Sequence, residues 1–250
     1  MPAAVPTVSP RRSPLLDKSL PASDSVVVIG LGRFGSALAR TMYALGHDVL
    51  AMDSDAAAVQ RLADDLPHLV QADATDLEIL KQLDVGIYAH AVVSMGESLE
   101  SSVLTVLNLT QIGLKDIWVK ANNPAHGHIA ERLGAHHVIY PEADMGKRIA
   151  RLVTGKMIDF VEGDDGLAIA KARAPAELLN KTLSESNVFQ RHGVTVLGIR
   201  RRHEAFVFAK ADTVVKPGDL LVIFGPMPVL ERFAEGSGRD KASDAQPHGG

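Results

Sequence analysis

The residues whose types and spacing promise chemistry lie near the start of the chain, in Gly30-Leu31-Gly32-Arg33-Phe34-Gly35. Glycines spaced in this way suit a turn from a strand into a helix that admits a phosphate group. Gly30 permits the tight turn, Gly32 lets the backbone approach a phosphate, and Gly35 allows the helix to pack closely on the strand. The first N–H groups of such a helix have no intrahelical partners and carry the positive end of its dipole, so they attract phosphate oxygens. Asp53 follows Gly30 by 23 residues, where a carboxylate would accept hydrogen bonds from ribose hydroxyls. Its charge repels a 2′-phosphate, which disfavours NADP. Arg33 can pair with a terminal phosphate, which a dinucleotide does not have free; its plainer reading is an exposed arginine at a helix start, where the dipole is unfavourable. In Asp73-Ala74-Thr75-Asp76, Asp73 could reach the amino group of an adenine, or Asp73 or Thr75 could cap a helix.

Other chemistries lack their residues. There is no cysteine, which removes disulfides, thiolate metal sites and cysteine nucleophiles together. Ten histidines are present, and His126, His128, His136 and His137 fall close in sequence. None of these pair at the i, i+4 spacing of a helical metal site. No Gly-Lys-Ser/Thr follows the loop glycines, and no G-x-S-x-G elbow occurs. A net charge of −4 gives no general reason to bind nucleic acid. The one basic run, Arg200-Arg201-Arg202-His203, sits between two apolar patterns and reads as a solvated hairpin tip.

The elements that must position the loop follow from periodicity. Short apolar runs at Val26–Ile29, Asp48–Asp53, Leu69–Val70, Tyr88–Ser94, Ile117–Lys120 and His137–Tyr140 read as buried strands. Helical patterns over 33–45, 56–66, 76–83, 97–112 and 124–133 separate them. This alternation predicts an α/β domain over 25–140, a doubly wound parallel sheet of the Rossmann type. Pro141 opens a helix to about Val153, with linker to residue 156. A small α+β domain over 157–235 follows, with strands at Met157–Val161, Leu167–Ala172, Val194–Arg200, Ala205–Ala209 and Leu220–Gly225 and helices near Ser184–Gln190 and Pro228–Ala234. The proline-rich segment 1–24 and the segment 236–250 read as a disordered leader and a flexible tail. No apolar run approaches the roughly 20 residues that span a bilayer. Met145, Ile149, Leu152 and Val153 could form an apolar stripe for a neighbouring subunit, and helix 97–112 carries more apolar surface than a half-exposed helix needs.

Three stretches carry a family resemblance: 26–35 with its arginine and phenylalanine inside the loop, Ile-Trp-Val-Lys-Ala over 117–121, and Gly-Ala-His-His-Val-Ile-Tyr-Pro-Glu-Ala-Asp-Met-Gly over 134–146. From 25 to about 235 the chain resembles the RCK proteins, regulators of potassium conductance, and most of all the cytosolic subunits of bacterial Ktr/Trk-type potassium uptake systems. The resemblance implies a Rossmann RCK N-terminal domain, a crossover helix and an RCK C-terminal domain. It implies a non-enzymatic regulator that forms homodimers and an octameric ring under an integral-membrane potassium transporter. ATP and ADP would compete for the Gly30–Gly35 loop, with NAD/NADH the alternative pair. By the same resemblance Arg33 would meet the γ-phosphate, Lys120 would support the phosphate region, and Glu142 would help hold Mg2+ or Ca2+ between paired subunits. On its own Glu142 reads rather as a first-turn carboxylate favoured by the helix dipole, and Lys120 as a polar strand end at the edge where such folds bind ligands. Some relatives bind cyclic di-AMP in the C-terminal domain, but no residue set here is specific to it. The runner-up reading is an NAD-dependent oxidoreductase with a small substrate domain, relying on a histidine such as His126 or His128.

Overall fold

The computed structural model describes residues 25–96, 98–153, 157–163, 165–201 and 204–236. The expected leader, all but the first residue of the expected tail, and Arg202 and His203 of the basic run lie outside the described residues. The described chain forms two compact units that divide between Ala143 and Asp144.

The first unit is a six-stranded sheet: β1 (Ser25–Ile29), β2 (Asp48–Asp53), β3 (Leu69–Gln71), β4 (His90–Val93), β5 (Ile117–Lys120) and β6 (His137–Ile139). Its order is β3-β2-β1-β4-β5-β6, and every neighbouring pair is parallel. Such strands are covered on both faces, so β1 is apolar almost throughout and all five of its residues are buried. Alternate residues serve opposite faces. Val27 and Ile29 join the core beneath α3 (Leu77–Gln82), α4 (Leu99–Ile112) and α5 (Pro124–Arg132). Val26 and Val28 join the core beneath α1 (Arg33–Ala44) and α2 (Ala56–Gln60). Because β1 lies between β2 and β4, successive crossovers leave in opposite directions from it, and a crevice opens at the carboxyl ends of β1 and β4.

Helix ends follow local chemistry. Ser98 caps α4 by accepting from the Ser101 N–H, and Gly113 ends it in the left-handed region. Asp76, rather than Asp73 or Thr75, caps α3 by accepting from the Glu78 N–H. The expected helix over 56–66 is α-helical only to Gln60. Beyond it Leu62 and Ala63 donate to carbonyls three residues back, which tightens the chain into turns ahead of Pro67.

The thirteen-residue helix α6 (Pro141–Val153) carries the division between the units and buries none of its residues. Met145, Ile149 and Val153 of its apolar stripe remain exposed, whereas Leu152 packs on the second unit's core. On α4, Val106 and Leu109 are buried while Leu99 and Leu104 are exposed.

The second unit is an antiparallel sheet ordered β10-β9-β11-β8-β7, from β7 (Asp159–Glu162), β8 (Leu167–Arg173), β9 (Thr195–Arg200), β10 (Phe206–Phe208) and β11 (Leu220–Pro226). Two short helices, α7 (Leu183–Ser186) and α8 (Val188–His192), replace the single expected one, because Asn187 adopts φ 46° and breaks the run. The C-terminal helix α9 (Met227–Glu235) buries Leu230 and Phe233 against the sheet. In the basic run Arg201 is occupied by the buried Asp219 at 3.2 Å and the Val214 carbonyl at 2.9 Å.

His126, in the first turn of α5, is 3% exposed. The Asn122 N–H points at its Nδ1, so that nitrogen is the acceptor of a neutral ring and Nε2–H donates to Ser102 Oγ at 2.9 Å. Burial holds its pKa below the ordinary histidine value. The folded state therefore resists a proton that the unfolded chain accepts. Stability is expected to be full above about pH 6.5 and to fall as pH drops towards the depressed folded value. Urea midpoints between pH 8 and 5 should show this loss, with a flatter profile in His126→Gln; equal slopes in both proteins would contradict it.

Candidate functional site

The loop that leaves β1 is fixed from three directions. Gly30 sits at φ 93° and its N–H donates to the Met52 carbonyl at 2.9 Å. Ser94, which follows β4, donates from its hydroxyl to the Gly30 carbonyl at 2.6 Å and from its N–H to the Ile29 carbonyl at 2.8 Å. The third anchor is Asp53. Its Oδ2 accepts the Leu31 N–H at 2.6 Å and its Oδ1 accepts the Asp55 N–H at 2.8 Å. The Leu31 side chain is buried in the core, so this residue offers the site only its backbone.

The two later glycines differ sharply. A Cβ at Gly35 would stand 1.9 Å from the Gly30 carbonyl oxygen, which no side chain tolerates, so α1 can lie against the loop only if residue 35 is glycine. A Cβ at Gly32 would meet nothing within 4 Å. Gly32 therefore borders open space, at the N-cap of α1, with no side-chain cap and no acidic residue in the helix's first turn. Its N–H donors and dipole are left for something else to satisfy.

That open space is a cleft of about 900 Å3 lined by the loop, Asp53, Asp55, Arg61, Ser94, Asn122, Lys120 and Glu142. At one end Lys120, on the last residue of β5, has a side chain only 13% exposed. Its Nζ lies 2.6 Å from Glu142 Oε1 and 6.0 Å from the Phe34 ring centroid. The hydrogen bond from Lys120, aided by the carboxylate's own backbone N–H and by the charges of Lys120 and Arg33, holds the Glu142 carboxyl below the usual carboxylate range. Arg33 is exposed at the first position of α1. Asn122 donates from its amide to the Gly96 carbonyl, which ties the loop after β4 to the end of β5. Asp53 and Asp55 also line the cleft. Each Asp53 oxygen keeps a second lone pair, so hydroxyl groups can still donate to a carboxylate that already braces the loop. One cleft thus offers cations, a bare helix N-terminus and carboxylates with free hydrogen-bond acceptor capacity.

The structure brings Gly30, Leu31, Gly32, Arg33, Phe34, Asp53, Lys120 and Glu142 to this cleft, with Gly35 buried behind the loop. Asp73 does not line it. The lining passes from Ala72 to Ala74, and Asp73 Oδ1 accepts from the N–H and hydroxyl of Thr75. Sequence reasoning missed Ser94, Asn122 and Arg61. A hydroxyl closing an apolar strand signalled Ser94; Asn122 and Arg61 had no signal beyond lying in loops at the carboxyl edge. The described histidines are elsewhere. His137 stacks on Trp118 at 4.0 Å and pairs with Asp116, which also binds His90 at 2.5 Å, all at the amino ends of β4, β5 and β6. Among the described residues no group of three histidines and carboxylates could hold a metal ion. Glu142 alone fits only a cation that takes most of its ligands from phosphates, as magnesium commonly does.

Known proteins match most of the chain. The TrkA-N domain family matches residues 26–141 and the TrkA-C domain family matches 167–235. The chain is 34% identical to the Ktr system potassium uptake protein C of Bacillus subtilis over 207 residues, 82% of this chain and 94% of that protein. It is 33% identical to the Ktr system potassium uptake protein A of Vibrio alginolyticus over 204 residues, 81% of this chain and 93% of that protein. In fold it resembles the crystal structure of the GsuK RCK domain, with TM-score 0.57, 18% identity, and coverage of 86% of this chain and 48% of that one. Among the described residues no helix is long and apolar enough to cross a membrane.

The two glycines give a paired test of the loop. Gly35→Ala is expected to lose about 3 kcal/mol of stability, the upper end of the range for overpacked positions, because the clash is with backbone. Gly32→Ala, whose Cβ meets no atom within 4 Å, should lose at most about 1 kcal/mol, the difference between glycine and alanine as an N-cap. Equal midpoints for both variants would contradict the packing described.

Proposed function

The chain belongs to the Ktr family of potassium uptake proteins with TrkA-N and TrkA-C domains, and from that premise we propose that it is a nucleotide-binding regulatory subunit. It binds and does not catalyse. The observation that carries this reading is one cleft lined by the bare N-terminus of α1 with Arg33 and Lys120 on the one hand and by Asp53 on the other. A phosphate chain suits the first and a ribose the second. The exchanging ligands in this reading are ATP and ADP, because two cations beside a helix N-terminus suit a terminal phosphate better than the neutralised bridge of a dinucleotide; NAD/NADH is the alternative pair. A magnesium or calcium ion would join Glu142 and the bound phosphates.

Regulation then requires two states that the ligands bind unequally. The resemblance supplies the apparatus: homodimers in an octameric ring on the cytoplasmic face of an integral-membrane potassium transporter, with no nucleic acid involved. The exposed Met145, Ile149 and Val153 on α6 and Leu99 and Leu104 on α4 suit burial in such an assembly. The oxidoreductase reading loses its histidines. His126 is buried against Ser102, and His128 lies exposed on α5; neither lines the cleft.

Calorimetric titration with ATP, ADP, NADH and NADPH, with and without magnesium, tests the function. ATP and ADP are expected to bind, with ATP strengthened by the cation; binding of none of the four would overturn the reading. Arg33→Ala should weaken ATP by about 1.5–3 kcal/mol and ADP by less, since it removes one charge-assisted partner of the last phosphate. Asp53→Ala should weaken every adenosine nucleotide, because it removes the ribose acceptor and the brace on Leu31 together. Light scattering should report eight copies per particle; a monomer at micromolar concentration would exclude the ring.

A further inference from the structure

The phosphate end of the cleft already contains an anion. Glu142 projects from the first turn of α6, with Oε1 2.6 Å from Lys120 Nζ, in a place otherwise lined by the α1 N-terminus and Arg33. The two partners are unequal. Lys120 is largely enclosed, beside Phe34 and within 3.2 Å of where a Cβ on Gly96 would stand, while the Glu142 side chain is 67% exposed. The lysine is therefore part of the cleft wall, and the glutamate is the member that can leave.

We infer that Glu142 is a built-in competitor for the terminal phosphate of a nucleoside di- or triphosphate, seated on Lys120 until the phosphate displaces it. The inference rests on the nucleotide-binding function proposed above and adds to it a specific exchange of anions at one ammonium group. Lys120 has three N–H donors on a compact charge, and a phosphate brings more charge and more acceptor oxygens than one carboxylate. A phosphate arriving at the loop would thus exchange one ion pair for a stronger one, and the released carboxylate would be free to turn towards a cation on the same phosphates. The exchange also reaches the helix. The Lys120–Glu142 pair joins the end of β5 to the first turn of α6, and Pro141 and Glu142 open a helix with no buried residue. Displacement of Glu142 unties that turn. A ligand lacking a terminal phosphate, such as adenosine, would fill the ribose end and leave the pair intact, so the cleft would distinguish charged from uncharged ligands by whether α6 is released.

The test is titration of the full chain in EDTA, so that no divalent cation assists either anion. Glu142→Gln removes the competing charge at an exposed position and keeps the size of the side chain. It is expected to bind ATP about fivefold tighter than wild type, the upper range for a partly exposed ion pair, and adenosine equally well. In a Lys120→Gln background the same substitution should change ATP affinity little, because the group being contested is gone. Unchanged or weaker ATP binding by Glu142→Gln, in a protein that still binds adenosine, would overturn the competition while leaving the nucleotide site standing. A fivefold gain that persists without Lys120 would also overturn it, since the carboxylate would then act only through general charge. Failure of both wild type and variant to bind ATP or adenosine would remove the proposed function and this inference together.

Discussion

Parallel strands can be joined only by crossovers, and that constraint arranges nearly everything that matters in the first unit. Each strand must run in the same direction, so all six carboxyl ends, and the starts of the helices that follow them, gather along one edge. Helix N-termini carry unsatisfied N–H groups and partial positive charge wherever no side chain caps them. Asp55, Asp76, Ser98 and Asn123 cap α2, α3, α4 and α5, whereas Gly32 leaves α1 without a side-chain cap. The sheet order then sets this bare end beside the crevice between β1 and β4. An anion site at that point is a result of chain direction and one missing side chain, before any cation is added.

What the fold supplies in general, a few residues make specific. Asp53 and Ser94 fix opposite sides of the loop through backbone groups, and Gly35 permits the helix to close on it. Lys120 and Glu142 then set the charge at the far end. The second unit has another logic. Its antiparallel sheet is covered on one face by α9 and its neighbours, and several apolar residues of the strands, among them Ile169, Phe208 and Phe224, remain exposed. Among its described residues the polar groups are mostly paired with one another, as Arg201 is with Asp219 and Arg191 with Glu177.

The parts legible in the sequence were those with a strong local signal. The six parallel strands announced themselves as short apolar runs between helical periods, and the glycine spacing followed by Asp53 marked the loop and its brace. Pro141 marked the start of α6. Less legible were features decided by contacts distant in sequence. Ser94 lies 64 residues from the carbonyl it holds, and nothing near it predicts that partner. Asp73 and Thr75 looked equally eligible to cap a helix, and Asp73 to meet a ligand; instead they bond to each other in a turn and the neighbouring Asp76 takes the cap. The break between α7 and α8 hangs on one asparagine in the left-handed region, a choice that asparagine permits but composition does not dictate. The Lys120–Glu142 pair joins residues singled out for separate tasks, and only the fold shows that they meet.

The bracing of the phosphate loop has a consequence in time. Because Asp53 and Ser94 already hold Leu31 and Gly30 in place, an incoming ligand has little backbone to order, and association need not wait for a slow rearrangement of this segment. Entry at an ordinary rate of about 10⁶ M⁻¹s⁻¹ with micromolar affinity would give a residence of about a second. A protein with such a site would report the recent ratio of its ligands over seconds, smoothing faster fluctuations and following slower ones.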